Sequence, residues 1–231
     1  MADYDYRTYW NRNIDRWGEL YLDISHGHET LAGPAWYSSL YNGSIGRIER
    51  KLMTERYART VAFIDNFVRP GMVVSDLGCG TGIFVVRALM CGAIVNAIDF
   101  SPTALEITKQ NVLKHCPKEA LSEGKVTYRQ ANVQADELPI SDVTLAMGLT
   151  PYLTNLAGFM EQALPKTKLM FCLYADPRHW ANRIRAVLPF LNVRRLQCYT
   201  KNEIDLLYSH YGWTLKDRQS FATGYIDLAG I

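Results

Sequence analysis

The sequence predicts an α/β protein: an open, doubly wound, seven-stranded and mostly parallel sheet behind an N-terminal helical appendage. Three observations predict it. Apolar runs rich in β-branched residues alternate with helix-period segments from residue 72 onward. The first run ends in a glycine-rich turn that opens a helix. The last two runs are neighbours joined by Ala222-Thr223-Gly224, which supplies an antiparallel end. Residues 1–69 are assigned to the appendage and 70–231 to the sheet domain, with an insert around 176–200.

Each element has its own signal. Residues 72–76 form the first apolar run. Residues 83–90 follow with helical spacing, and Gly92 just beyond them is a stop signal. Residues 93–99 are the second β-branched run. Ser101-Pro102, a favourable N-cap and first-turn pair, opens a helix to about Cys116. Residues 126–131, 143–147 and 168–174 read as three more strands, with a helix over 156–164 between the last two. Thr200 and Glu203 have capping-box spacing for a helix that Gly212 stops, and 215–221 with 225–228 close the sheet as a hairpin. Ahead of the sheet, residues 8–21 carry Tyr9, Trp10, Trp17 and Tyr21 in an aromatic helix candidate. Ile45, Ile48, Leu52, Tyr57, Val61 and Ile64 approximate helical spacing over a second stretch that ends before Pro70. Both helices are expected to pack on the sheet, and the first to close over a ligand as a lid.

Composition bounds the function. The 231 residues carry a net charge of +2, with 48% apolar and 21% charged residues, which excludes wholesale disorder and any overall field that would recruit nucleic acid. No apolar run approaches the roughly 20 residues of a membrane-spanning helix, and residues 1–20 contain no signal-peptide core. The five cysteines are scattered, odd in number and without a Cys-x-x-Cys pair, which argues against a zinc site or a disulfide framework. The expectation is a cytoplasmic protein with no metal and no membrane or nucleic-acid partner.

The turn Asp76-Leu77-Gly78-Cys79-Gly80-Thr81-Gly82 leaves a strand and enters a helix, so its backbone can approach a ligand closely. A P-loop would need Gly-Lys-Ser/Thr at its end, and Gly82-Ile83-Phe84 is different. A dinucleotide fingerprint would need glycine or alanine three residues after Gly80, where Ile83 stands. Asp76 would repel a pyrophosphate and suits a ligand with cationic groups nearby, an ammonium or a sulfonium. Asp99 ends the second strand, where a carboxylate can accept hydrogen bonds from ribose hydroxyls. Phe100 after it can lie on an adenine face, and Asn132 after the third strand can pair with an adenine edge. Turn chemistry at strand ends is the competing explanation for Asp99 and Asn132.

On these residues the chain resembles the class I S-adenosylmethionine-dependent methyltransferases. The matching segments are Asp76 to Gly82, Asp99-Phe100-Ser101, Ala131-Asn132-Val133 and Met147-Gly148-Leu149. The resemblance implies that Asp76, Gly78, Cys79, Gly80 and Gly82 hold the methionine end of S-adenosylmethionine. It implies likewise that Asp99, Phe100 and Ser101 hold the ribose side, Asn132 and Val133 the adenine, and Met147, Gly148 and Leu149 the fourth strand end. The family more often has aspartate where Asn132 stands. The rival classes are a nicotinamide-dependent oxidoreductase and a non-catalytic module that keeps only the cofactor pocket.

The acceptor is less legible. Leu149-Thr150-Pro151-Tyr152 lacks the polar first residue and second proline of base amino-methyltransferases, and no acid cluster suggests the metal-dependent catechol type. Residues 177–202 contain no acid, yet hold Arg178, Arg183, Arg185, Arg194, Arg195 and Lys201 with Trp180, Phe190 and Tyr199 interleaved. Either this is a solvated basic face, or Arg178 and Arg194 bind an anionic small-molecule acceptor. Trp17, Tyr21 and Tyr152 are the candidate apolar lining. His28 and His179 are the candidate bases should the acceptor be an alcohol; a carboxylate acceptor needs none, and alignment carries the reaction. Oxygen methylation is expected, with nitrogen or carbon methylation the alternative. Arg16-Trp17, Tyr21, Gly27-His28, Gly212-Trp213 and Tyr225 also look similar to the magnesium-protoporphyrin methyltransferases, apart from a long insertion between His28 and Met72. That similarity implies a related shape and a lid, without naming a porphyrin substrate.

Overall fold

The computed structural model describes residues 46–122, 124–187 and 196–231. Seven strands form one sheet: β1 (Val73–Leu77), β2 (Ile94–Asp99), β3 (Val126–Gln130), β4 (Ser141–Ala146), β5 (Thr167–Ala175), β6 (Thr214–Phe221) and β7 (Gly224–Gly230). The described α-helices are α1 (Gly46–Phe67), α2 (Ile83–Met90), α3 (Pro102–His115), α4 (Leu156–Ala163), α5 (Trp180–Val187) and α6 (Lys201–His210). The strand order is β3-β2-β1-β4-β5-β7-β6; β1 to β5 pair in parallel, and β7 is antiparallel to both β5 and β6. This is the seven-stranded, doubly wound sheet expected.

Helix α2 falls on residues 83–90 as its spacing indicates, and α3 starts where Ser101 accepts a hydrogen bond from the Ala104 N–H at 3.2 Å. Thr200 and Glu203 make the reciprocal capping box of α6. Several strands extend beyond their apolar runs, because ladder pairing continues through polar and small residues. Ser141 pairs with Thr167, and Gly230 pairs with Leu169. Met147, read as the end of the fourth strand, lies one residue past β4. The closing turn is two residues rather than three: Phe221 pairs with Gly224 across Ala222-Thr223, and Ala222 takes a φ of 50°.

Helix α1 is the second appendage helix, and it packs directly on the sheet. Phe63 stacks on Phe171 of β5 at 4.3 Å, and Tyr57 stacks on Phe84 of α2. It joins α2 and α3 over the face that carries Val74, Val95 and Val143. The opposite face buries Ile98, Ala146 and Met170 under α4 and α6. Under α6, Arg218 is held by Asp227 at 2.7 Å and Asp205 at 2.8 Å and lies over the Tyr225 ring, while Asp227 is fully buried. Helix α5 is tied to the sheet by Asn182, whose Nδ2 donates to the Asp176 and Thr223 carbonyls; its Trp180, Ile184 and Val187 are exposed. The five cysteines are free thiols, and no described helix is long and apolar enough to cross a membrane.

The first appendage segment, residues 8–21, lies outside the described residues, so its expected lid role stands as a proposal.

Candidate functional site

In the strand order the chain leaves β1 toward β2 on one side, while β4 lies on the other. The loops that follow β1 and β4 therefore diverge and leave a crevice at the carboxyl edge of the sheet, where ligands of open α/β sheets bind. The glycine loop forms one wall. Gly78 and Cys79 donate their N–H groups to the Ile98 carbonyl at 2.8 and 3.1 Å. Gly82 takes a φ of 75°, and a Cβ there would lie 2.5 Å from Thr108 Cγ2, so glycine is required for conformation and for space. Helix α3 holds the loop from behind: Thr108 Oγ1 donates to the Gly80 carbonyl, and Asn111 Nδ2 to that of Thr81, both at 2.9 Å. These two supports lie one helical turn apart and carry no motif of their own, which is why sequence inspection missed them.

Two carboxylates define the electrostatics. Asp99, at 5% exposure, accepts from the Gly80 N–H at 3.0 Å and the Ser101 N–H at 2.9 Å. Burial raises its pKa, and those N–H donors pull it back. Asp76, at 2% exposure, has an Oδ2 that is buried without a hydrogen-bond partner. Burial, with the neighbouring charge of Asp99 adding to it, pushes its carboxyl up to about 7. A buried acceptor oxygen left unmade is costly and marks a place where a ligand donor belongs. This pair suits a ligand bearing an ammonium, a sulfonium and hydroxyls, and it would repel phosphates. The residues present thus fit S-adenosylmethionine: Asp76 for its cationic end and Asp99 for its ribose.

The other expected cofactor residues lie along the same edge. Phe100 is half-buried after β2 and Val133 is buried after β3. Asn132 is exposed, and its Oδ1 accepts from the Gln134 N–H at 3.1 Å while its own N–H donates to Asp136 at 2.7 Å. Turn chemistry therefore occupies the Asn132 oxygen, and an adenine contact through it has to displace that bond. Met147 is buried and Leu149 half-buried. Gly148 has a φ of 96°, and a Cβ built on it would overlap Arg56 Nη1 from α1.

On the acceptor side, Tyr152 is half-buried in a 3-10 turn after β4, and Thr150 Oγ1 donates to the Leu173 carbonyl. The segment before α6 is stitched to this turn. Gln197 N–H donates to the Pro151 carbonyl at 2.7 Å, Tyr199 N–H to Ala175 at 2.8 Å, and Tyr199 hydroxyl to Leu153. Tyr225 hydroxyl in turn donates to the Tyr199 carbonyl at 3.1 Å. Arg178 is exposed just beyond the carboxyl end of β5. His179 follows, and its Nδ1 accepts from the Ala181 N–H at 3.2 Å as the chain enters α5. That bond occupies Nδ1, which leaves Nε2 as the ring nitrogen open to other partners. Trp17, Tyr21, His28 and Arg194 lie outside the described residues.

The family model for ribosomal protein L11 methyltransferase matches residues 58–169, which contain the glycine loop and both carboxylates. Among curated proteins, the mitochondrial ubiquinone biosynthesis O-methyltransferase of Schizosaccharomyces pombe is 30% identical over 99 residues, covering 42% of this chain and 35% of that one. Ribosomal protein L11 methyltransferase of Thermoanaerobacter pseudethanolicus is 26% identical over 176 residues, covering 69% of this chain and 55% of that one. The chain thus spans less than two thirds of these relatives' length. Among solved structures, magnesium protoporphyrin IX methyltransferase of Synechocystis PCC 6803, with bound SAH, superposes with a TM-score of 0.72 at 17% identity, covering 97% of this chain and 96% of that one. The matched family model, these relatives and the shared fold together support a class I S-adenosylmethionine-dependent methyltransferase.

Proposed function

We propose that the protein transfers the methyl group of S-adenosylmethionine to an oxygen of a small anionic acceptor, and that this oxygen belongs to a carboxylate. The observation that carries the reading is that His179, the candidate base among the described residues, already has its Nδ1 taken by the Ala181 N–H. A carboxylate is already ionised at neutral pH and asks only for orientation. The bound cofactor supplies an electrophilic sulfonium methyl. Asp76 and Asp99 fix its two ends, and the 149–153 turn with its stitched partner segment 196–200 forms the facing wall. Arg178, and Arg183 one turn into α5, supply cations for the acceptor's charge. A reducing compartment suits the five free thiols. Residues 1–36 are proposed as the cover of the crevice. The L11 methyltransferase match favours one second reading, a protein as acceptor.

The test is transfer of labelled methyl from S-adenosylmethionine to a panel of small carboxylic acids, alcohols and amines, followed by hydroxylamine. A methyl ester releases its label; an ether or methylamine keeps it and overturns the carboxylate reading. Arg178→Glu is expected to raise the apparent KM of an anionic acceptor more than that of the cofactor.

A further inference from the structure

Beyond β4 the chain makes one short 3-10 turn, Thr150–Tyr152, at the crevice edge of the sheet. Within it the Tyr152 N–H donates to the Leu149 carbonyl at 2.9 Å, and the Leu153 N–H to the Thr150 carbonyl at 3.1 Å. A single 3-10 turn has poor hydrogen-bond geometry, so partners outside it decide where it stands. Its first end rests on the glycine loop: a Cβ on Gly78 would lie 3.1 Å from Leu149 Cδ1. Its far end is held by Tyr199, whose hydroxyl donates to the Leu153 carbonyl.

Tyr199 is itself anchored in the sheet. Its N–H donates to the carbonyl of Ala175, the last residue of β5, at 2.8 Å, and its own carbonyl accepts from the Tyr225 hydroxyl at 3.1 Å. Tyr225 is fully buried. Its ring lies 5.5 Å from that of Tyr174, and the Arg218 guanidinium stands 4.8 Å from its centroid, fixed by the buried Asp227. A line of fixed polar groups thus runs from an ion pair in the core through two tyrosines to the turn. Tyr208, on the same face, pairs its hydroxyl in the core with that of Tyr174 at 2.9 Å. We infer that Tyr199 is a positioning residue: its hydroxyl sets the turn against the glycine loop, and so sets where an acceptor lies beside the cofactor. The inference rests on the turn being the acceptor wall proposed above. Loss of that alignment lowers the rate without removing a reacting group.

The experiment compares Tyr199→Phe, which removes one oxygen, with Tyr208→Phe, which removes a buried hydroxyl elsewhere on the same face. Hydrogen exchange of the full chain, read by mass spectrometry, should show residues 149–155 of Tyr199→Phe exchanging about tenfold faster or more, with residues 76–82 changed less than about twofold. With the best-methylated acid of the carboxylic-acid panel, kcat/KM for the acceptor should fall about tenfold or more in Tyr199→Phe, while calorimetric affinity for S-adenosylhomocysteine stays within about twofold. Tyr208→Phe should lower Tm and leave the acceptor kcat/KM within about twofold of wild type. Unchanged exchange over 149–155 overturns the inference and leaves the acceptor wall standing. Faster exchange with unchanged acceptor kinetics, or a panel in which no acid is methylated, overturns the acceptor reading and this inference with it. Equal kinetic losses in the two variants reduce the effect to general stability and also overturn it. Should Tyr199→Phe fail to fold, the wild type decides: residues 149–155 exchanging as fast as an unstructured peptide overturn the inference.

Discussion

Replacing Asp76 by asparagine should make the ligand-free protein more stable at alkaline pH and, at the same time, unable to hold its cofactor. The folded-state pKa is about 7 against an ordinary value of 3.8, because burial disfavours the charge. The folded protein therefore keeps the proton while the unfolded chain has already released it, and wild-type stability falls as pH rises from about 4 to about 7. Full ionisation costs on the order of 4 kcal/mol, from about three pKa units at about 1.4 kcal/mol each. Asparagine does not titrate, so the difference in stability between variant and wild type should grow by roughly 2–3 kcal/mol in the variant's favour from pH 5 to pH 8. For a chain of this size that corresponds to about 5–10 °C in the Tm difference. The contrast between two pH values cancels the pH-independent cost of burying the new amide, about 1–3 kcal/mol. Differential scanning calorimetry at pH 5 and 8 measures the first effect and titration with S-adenosylhomocysteine at pH 8 the second, where at least a tenfold loss is expected. Melting temperatures that run parallel within about 2 °C over this range, or unchanged ligand affinity, would refute the assignment of Asp76 as a buried anion awaiting a cationic ligand.

Three further outcomes follow from the geometry. Asp99→Ala should weaken S-adenosylhomocysteine by at least tenfold in calorimetry, since it removes a buried, charge-assisted acceptor worth about 1.5–3 kcal/mol and releases the Gly80 N–H. Gly82→Ala should lower both Tm and cofactor affinity, because its φ of 75° and the contact with Thr108 leave a methyl no place; a variant that melts and binds like wild type would contradict this. Asp227→Ala should destabilise the fold by about 1–3 kcal/mol in urea titration, since it removes a buried charge-assisted pair while Arg218 keeps Asp205, with cofactor affinity in the still-folded protein unchanged.

Sequence inspection reads local chemistry well and long-range contact poorly. The loop from Asp76 to Gly82, the Ser101 cap and the Thr200–Glu203 box were visible because each is a short, contiguous pattern with its own physical cause. Their common location at one sheet edge follows from the alternation of strands and helices. The contact of Arg56 with Gly148 was invisible, since Arg56 stands at an ordinary polar position of α1 and Gly148 lies ninety-two positions later. Thr108, Asn111 and Tyr199 escaped for the same reason: their partners are Gly80, Thr81 and Leu153. Asn132 shows a local contact that its motif position does not announce. Its position fitted an adenine contact, yet the carbonyl oxygen is claimed locally by the Gln134 N–H. His179 was singled out by type and place, and the backbone donor that takes its Nδ1 carries no sequence signal.

The two anchors around α5 carry a consequence for how such a protein diversifies. Asn182 ties the start of the insert to the β5 end and the β6–β7 turn, and Gln197 with Tyr199 ties its return to Pro151 and Ala175. Both anchors are hydrogen bonds to the strand ends and the turns beside them. Closure entropy grows only logarithmically with loop length, about 0.6 kcal/mol for each doubling. Residues can therefore be gained or lost between those anchors at little thermodynamic penalty, while the loop from Asp76 to Gly82, braced by α3, stays in place. The segment between the anchors is in this way free to drift in length among descendants of one ancestor without the glycine-loop half of the molecule having to change with it.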